Sequence, residues 1–200
     1  GAVLQFDGAA WRVLATSGTG QNLRGVWGDG AGRLLLAGWD GTVLRGAPAA
    51  GWRAEITSPA LTSVWGPGDG TLYAVGGRGA VLRRTPQLGW TVLDAPPAQP
   101  LYGVFGASPA HVVAVGDTGT VLRFDGTSWR TEATGLLTLL RSVWAADASH
   151  YFIVGERGVI LSSSGNGTWT PMVSGTTAFL PRVWGLSATE VFAVGDSGLV

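Results

Sequence analysis

The side chains best suited to metal chemistry are His111, His150 and Glu190, which occupy equivalent points of a repeated sequence. A His-His-Glu set is chemically suited to zinc, but zinc ligands must converge within about 2.3 Å of the metal. Each of the three opens a separate strand-like run, so successive repeats keep them apart. We therefore interpret them as polar turn residues, like Arg33 and Thr71 in the other repeats, and predict no metal site and no cofactor.

Composition removes several other kinds of chemistry. The chain of 200 residues has no cysteine, which excludes thiolate catalysis, disulfides and cysteine-ligated metals. Its thirteen basic and thirteen acidic residues cancel, so we expect no nucleic-acid partner, because binding to nucleic acid depends on neutralising phosphates. No apolar run is long enough to span a bilayer, so we expect no membrane insertion. Hydrophobic residues at 46% and charged residues at 13% rule out disorder.

An internal repeat dominates the sequence. The motif Leu-x-x-Val-aromatic occurs five times, and a glycine follows each aromatic residue at the same distance. A second tryptophan series marks the other half of each unit, and we expect both series to pack in the core. The motifs span 23–27, 61–65, 101–105, 140–144 and 180–184, and the second series is Trp11, Trp52, Trp90, Trp129 and Trp169.

Each repeat divides into four short strands. Their β-branched and aromatic runs are bounded by Gly, Pro, Asp and Ser, which is typical of strands joined by tight turns. A Gly-x-x-Gly turn joins the second strand to the third, and we expect its glycines to supply the positive φ that a two-residue hairpin needs. Asp7-Gly8 and Asp125-Gly126 do the same between the third and fourth strands. These turns span 38–41, 76–79, 116–119, 155–158 and 195–198.

Four antiparallel strands in a repeat of this length predict an all-β, five-bladed β-propeller of four-stranded antiparallel blades. We expect residues 1–200 to form one domain, with repeats starting near 23, 61, 101, 140 and 180. Residues 1–16 carry the third and fourth strands of a unit, and the last residues carry the first and second. Pairing of 191–194 with 3–6 would close the ring. Gly198-Leu199-Val200 duplicates Gly1-Ala2-Val3, so we expect it to be displaced; a slice of a longer array is the alternative.

The repeat resembles bacterial β-propeller repeats of large secreted or envelope proteins, which are related to the BNR (Asp-box) and photosystem II assembly-factor propellers. The pattern Val-Phe-Ala-Val-Gly-Asp-x-Gly carries the resemblance along the whole chain. The Asp-box itself is echoed by 124–129 and 164–169. The resemblance implies the propeller fold and a secreted or cell-envelope setting. Because the chain starts at Gly1 without a methionine, we expect it to be processed or excised from something longer. Propellers of five blades include a lectin and several glycosidases.

The innermost strands argue against an enzyme. Glycoside cleavage needs a pair of carboxylates in the central cavity. The five Leu-x-x-Val-aromatic strands, which should line that cavity, contain neither Asp nor Glu. Two peripheral histidines are too few for a Ser-His-Asp arrangement. We therefore predict no catalytic residues.

Trp39 is the one tryptophan outside the two series, and it lies inside a Gly-x-x-Gly turn. An exposed aromatic residue there would suit stacking on a sugar or a partner side chain; the alternative is that it folds back over the blade. The turns should project beside the connections between blades, so their variable residues are candidate ligand contacts. The predicted set is Trp39, Arg24, Arg78, Tyr102, Asp117, Glu156 and Asp196.

These features predict a non-catalytic module that binds a protein or another ligand as a scaffold. A lectin-like carbohydrate-binding propeller is the alternative, and a glycoside hydrolase is a less favoured one. The expected partner is a protein or a glycan, and the chain is expected to be a monomer rather than an obligate oligomer.

Overall fold

A computed structural model describes residues 2–14, 20–29, 32–38, 41–47, 51–56, 60–96 and 99–198. Within these ranges the regular structure is β-strand, apart from single 3₁₀ turns such as 117–119 and 156–158. In the described part of the chain, no helix is long and apolar enough to cross a membrane. The strands are β1 Val3–Phe6, β2 Trp11–Leu14, β3 Leu23–Gly28, β4 Leu34–Gly38, β5 Thr42–Ala47, β6 Gly51–Ile56, β7 Leu61–Trp65, β8 Leu72–Gly76, β9 Val81–Thr85, β10 Gly89–Val92, β11 Leu101–Ser108, β12 His111–Gly116, β13 Val121–Phe124, β14 Trp129–Glu132, β15 Leu140–Asp147, β16 His150–Gly155, β17 Ile160–Ser163, β18 Thr170–Met172, β19 Arg182–Ser187 and β20 Glu190–Val194.

The strands form consecutive antiparallel sheets. Blade 1 is β3–β6, blade 2 is β7–β10, blade 3 is β11–β14 and blade 4 is β15–β18, and each pairs in sequence order. The pairs β1–β2 and β19–β20 are separate two-stranded sheets, called here the N-terminal and C-terminal half-blades. The predicted propeller of four-stranded antiparallel blades is therefore confirmed: four blades are complete, and the half-blades hold the strands of a fifth.

The hydrophobic core lies between blades. One buried cluster joins Tyr73 and Val75 of blade 2 to Val112 and Leu122 of blade 3. A second joins Val113 and other residues of blade 3 to blade 4, and further clusters lie on either side of these two. Because both faces of a blade pack against neighbours, both alternating sets of side chains in a strand are apolar.

The predicted closure of the ring is wrong in this structure. Among the described residues, β20 pairs only with β19, and β1 pairs only with β2. Successive blades pack closely through their first strands, as the Trp144 ring does against Gly185. The predicted displacement of the duplicated segment concerns Leu199 and Val200, which lie outside the described residues.

The half-blades also explain which tryptophans leave the core. Trp129 and Trp169 are buried as predicted, and so is Trp144. Trp11 and Trp184, which belong to the same two series, are 68% and 60% exposed. Both lie in two-stranded half-blades, where fewer described strands surround them than in a four-stranded blade.

The Gly-x-x-Gly turns use their two glycines differently. Gly79 and Gly119 have positive φ, and so do the preceding residues Arg78 and Thr118, which gives the backbone of a type I′ turn. The first glycine, Gly76, is extended instead. A Cβ at Gly76 would collide with the carbonyl oxygen of Ala60. The expectation that glycine supplies positive φ thus holds only for the second glycine, and close backbone approach selects the first.

Candidate binding sites

The first strand of each unit lies at the sheet edge where successive blades meet, and its first residues form one rim of the propeller axis. In blades 1 to 4 the strand pairing shifts register between the first and third residues of this strand. Such a β-bulge re-aims the side chain of the extra residue. The extra residues are Arg24, Thr62, Tyr102 and Arg141. We call this rim, with Arg182 of β19, the arginine rim.

Arg141 is the central residue of the arginine rim. Its Nη1 donates a hydrogen bond to the carbonyl oxygen of Tyr102 at 3.1 Å, and its guanidinium lies 5.6 Å from the centre of the Tyr102 ring. Burial lowers the pKa of Arg141, and the positive charges of Arg182 and Arg24 lower it further. The charges of Arg24 in blade 1 and Arg182 in the C-terminal half-blade thus both act on Arg141 in blade 4, and such a local excess of positive charge favours an anionic ligand.

Sequence reasoning found Arg24 and Tyr102 but missed Arg182. In the other four units the position of Arg182 holds Gly25, Ser63, Gly103 or Ser142. A Cβ on Gly103 would lie 3.0 Å from the carbonyl oxygen of Arg141, so the next blade keeps this position small. An arginine at a position otherwise restricted to small residues was the available signal.

The remaining predicted residues lie on the Gly-x-x-Gly turns. Arg78, Glu156 and Asp196 are exposed and Asp117 is half-buried, one on each of four successive turns. Among the described residues, no hydrogen bond or ion pair joins any of these four to another. Trp39, the sharpest sequence prediction, lies outside the described residues.

The turns themselves have a structural role. The backbone N–H of Gly119 donates to the carbonyl oxygen of Thr138 at 2.7 Å, and that of Gly158 donates to Ala178 at 2.8 Å. Each turn thus holds the connection that leads to the next blade, as its predicted position beside the connections implies. These contacts account for the constant length of the turns without any ligand.

A polar cleft opens on the opposite side of the propeller, between blades 3 and 4. It measures about 550 Å³, and residues 111, 123, 125, 130–133, 148 and 165–167 contribute its walls. Arg123 lies over the Tyr151 ring at 4.7 Å and faces Glu132, whose carboxylate accepts the Trp169 indole N–H at 2.8 Å. Asp125 accepts hydrogen bonds from Thr127 and Ser128 and pairs with Arg130, and these bonds lower its pKa far below the usual range.

The two histidines have separate local partners. His111 Nδ1 lies 2.9 Å from Ser108 Oγ, and His150 Nδ1 lies 2.9 Å from Asp147 Oδ1. Hydrogen bonds from Ser149 and His150 lower the pKa of Asp147 to about 2. Among the described residues, no group of three histidine or acidic side chains is placed to hold a metal ion.

Comparison with known proteins places the fold but not a family. No protein family and no curated protein matches the sequence. The solved structure of "YCF48 bound to D1 peptide" is similar, with a TM-score of 0.54 and 13% sequence identity over 98% of this chain and 83% of that chain. At this identity the likeness shows the propeller fold alone, and it agrees with the expected resemblance to assembly-factor propellers; the resemblance to the BNR group stays a prediction.

Proposed function

We propose that this propeller is a non-catalytic binding module that takes an acidic peptide segment at the arginine rim. The observation that carries the proposal is that the charges of Arg24 and Arg182 both act on the half-buried Arg141, whose guanidinium also lies against the Tyr102 ring. Among the described residues Arg141 has no ion pair with a carboxylate, so an incoming carboxylate would offset the repulsion that Arg24 and Arg182 exert on it. The structural neighbour was solved with a peptide, which supports a peptide as the form of the partner.

The positions and arginine partners of the acidic side chains support a non-catalytic role. In the first strands of the five units, β3, β7, β11, β15 and β19, the one carboxylate is Asp147, the last residue of β15. The cleft between blades 3 and 4 holds Asp125 and Glu132, but each is engaged by an arginine. A general acid for glycoside cleavage needs a raised pKa, whereas that of Asp125 is lowered.

The test compares a labelled oligoglutamate peptide with an oligoglutamine peptide of the same length by fluorescence anisotropy. We expect the acidic peptide alone to bind, with an affinity that falls as salt screens the charges. Replacing the exposed Arg24 and Arg182 by Gln should weaken binding about tenfold, which corresponds to about 1.4 kcal/mol.

Arg53→Gln is the matched control, because Arg53 is an exposed arginine on the outer strand β6 of blade 1. It should leave the affinity unchanged. Equal binding of both peptides, or an equal loss in the control, would remove the arginine rim as the site.

A second candidate function is carbohydrate binding in the cleft between blades 3 and 4. The cleft size of about 550 Å³ suits a small sugar, and Arg123, Glu132 and Asn166 offer hydrogen bonds to hydroxyl groups. Screening the protein on a glycan array tests it, with Asn166→Ala expected to abolish any signal. Binding that survives in this variant would count against the cleft.

A further inference from the structure

The connection between β17 and β18 contains the pair Asn166-Gly167. Both residues are exposed, and so is Thr168 after them. An asparagine can react with its own backbone, because the nitrogen of the next residue can attack the carbon of the side-chain amide. A glycine in that next position has no side chain to hinder the attack. The pair therefore has the residue types that a self-modifying turn needs.

The side chain of Asn166 is folded over the backbone that follows it. Its Oδ1 accepts a hydrogen bond from the backbone N–H of Thr168 at 3.0 Å. This bond spans Gly167, so it holds the side-chain carbonyl close to the chain, as in an Asx-turn. The same bond draws electron density from Cγ of Asn166, which makes that carbon a better target for a nucleophile.

The attacking nitrogen of Gly167 is unobstructed. Gly167 has a φ of 87°, and the nearest atom to a Cβ built on it would be Glu132 Oε1 at 3.8 Å. Among the described residues, nothing accepts a hydrogen bond from the Gly167 N–H. This nitrogen can therefore lose its proton and move without breaking an interaction.

The turn is anchored on both sides of the reactive pair. Gly165 packs so closely against the preceding turn that a Cβ on it would collide with the carbonyl oxygen of Ala148. Trp169 is buried, and its indole N–H donates to Glu132 at 2.8 Å. The folded protein thus presents the arrangement of Asn166 and Gly167 as a defined turn.

We propose that Asn166 is a site of spontaneous modification in the folded protein, where it converts to aspartate and isoaspartate. The Gly167 nitrogen attacks Cγ of Asn166, and the new N–Cγ bond closes a succinimide. The amide nitrogen leaves as ammonia and takes with it the proton that Gly167 has lost. Water then opens the ring at Cγ to give aspartate, or at the main-chain carbonyl to give isoaspartate. Solvent water is the one co-reactant.

The aspartate product fits the turn. The corresponding turn of blade 3 already contains Asp125, which accepts hydrogen bonds from the backbone N–H groups of Thr127 and Ser128, each at 2.9 Å. A carboxylate at position 166 can accept the N–H of Thr168 in the same way. We therefore expect the converted protein to remain folded.

The conversion changes the charge of the cleft between blades 3 and 4, because residues 165–167 form part of its wall. The acids Asp125 and Glu132 in this wall are each paired with an arginine. A further carboxylate adds a negative charge that the wall does not now carry. Any ligand of the cleft would meet a different surface in an aged molecule than in a new one.

Asn22 is the control within the chain. It is exposed, as Asn166 is, but the next residue is Leu23, the first of strand β3. The leucine side chain hinders attack by its own nitrogen, and its pairing opposite Gly38 fixes the backbone in the sheet. Asn22 should therefore stay intact while Asn166 converts.

The test is incubation of the folded protein at neutral pH, followed by trypsin digestion and mass spectrometry. Trypsin cuts after arginine, so Asn166 lies in peptide 158–182, which has no other side-chain amide, and Asn22 lies in peptide 13–24. We expect conversion at Asn166 at a rate within about tenfold of that in a free peptide of residues 162–170, equivalent to about 1.4 kcal/mol in activation free energy. The rate should rise with pH, because the Gly167 nitrogen must lose its proton.

Two variants and a trapping reagent test the mechanism. Gly167→Ala should slow the conversion about tenfold or more, or by at least about 1.4 kcal/mol, because the methyl group hinders the nitrogen. Hydroxylamine cleaves a succinimide, so it should split the folded wild type into fragments 1–166 and 167–200. Asn166→Gln, which keeps an amide but moves its carbon away, should not be cut. Circular dichroism checks that each variant is folded.

Three results would overturn the proposal. One is a conversion in the folded protein more than about tenfold slower than in the free peptide, a gap above about 1.4 kcal/mol, because the fold would then protect Asn166. The second is a folded Gly167→Ala variant that converts as fast as the wild type, and the third is a wild type that hydroxylamine leaves whole. If Gly167→Ala does not fold, the peptide comparison and the hydroxylamine pair decide. Each outcome is independent of peptide binding at the arginine rim.

Discussion

The indole ring of Trp144 lies directly over the α-carbon of Gly185, so a Cβ built on that glycine would come within 2.6 Å of the ring. Trp65 stands over Gly106 in the same way, with a closest approach of 2.7 Å. The one unit with Ala145 at this position follows the one unit whose first strand carries Phe105 in place of tryptophan. The size of the aromatic residue in one blade therefore determines whether glycine or alanine follows the aromatic residue in the first strand of the next blade.

This relationship predicts that Gly185→Ala destabilises the protein by about 1–3 kcal/mol, because the added methyl group overpacks a rigid contact. Trp144→Phe in the same chain recreates the Phe105 and Ala145 combination and should recover part of the loss. Urea unfolding of the two single variants and the double variant measures the coupling between the positions.

Gly20→Ala is the control for the glycine substitution, since a Cβ there meets no atom within 4 Å. It should change the unfolding free energy by less than about 0.5 kcal/mol. Additive effects of Gly185→Ala and Trp144→Phe would contradict the selection of one residue by the other.

Thr118→Gly should stabilise the protein by about 0.5–1 kcal/mol. Thr118 has φ of 50°, and the left-handed region costs a non-glycine residue about 1–2 kcal/mol, which exceeds the entropy that glycine loses on folding. Thermal unfolding measures the gain. Thr131→Gly in the extended strand β14 is the control and should destabilise; a gain at Thr131 or a loss at Thr118 would show that the turn is not strained.

The strands and turns were predictable because each is determined by residues close in sequence, and these residues recur in every unit. The Leu-x-x-Val-aromatic motif and the Gly-x-x-Gly turn each depend on neighbours within one blade, so each unit shows the same pattern. The closure of the ring was not predictable in this way. It depends on how strands at opposite ends of the chain meet, which no pattern inside a single unit specifies.

Prediction from the sequence is limited in the same way at the arginine rim. The β-bulge that aims Arg141 at the axis leaves the sequence spacing unchanged, because every complete blade contains it. Arg24 could be placed on the correct rim from the turn arrangement. The joint action of Arg24 and Arg182 on Arg141 has no signal in the sequence, since the three residues come from three different sheets.

The turn between β15 and β16 should carry a pH-dependent contribution to stability. The pKa of Asp147 is lowered to about 2, chiefly by the Ser149 hydroxyl and backbone and then by His150. Because the folded pKa lies below the ordinary value of about 3.9, the stabilisation is complete above about pH 4 and is lost as the pH falls through about 2.

An NMR titration of the Asp147 carboxyl group measures this pKa. Ser149→Ala should raise it toward the ordinary value by more than His150→Ala does, because the serine contributes the larger share. An unchanged titration in Ser149→Ala would contradict the assigned cause.

Blade 2 lacks a carboxylate that blades 1 and 3 both have. Glu55 accepts the indole N–H of Trp90 from the next blade at 2.8 Å, and Glu132 accepts that of Trp169 at the same distance. The equivalent residue in blade 2 is Leu93. The next indole, that of Trp129, is buried without a hydrogen-bond partner, and so is Nε of Arg83 in blade 2.

Leu93→Glu should therefore retain more stability than Leu93→Ala, by about 1–3 kcal/mol. Both variants give up the packing of the leucine against the core cluster that contains Trp129, but only glutamate supplies an acceptor to the buried donors, and a hydrogen bond to a charged group contributes about 1.5–3 kcal/mol. Urea unfolding compares the two variants. In a Trp129→Phe background, which removes the indole donor, the advantage of glutamate should shrink. An equal advantage in both backgrounds would mean that Trp129 does not donate to the new carboxylate.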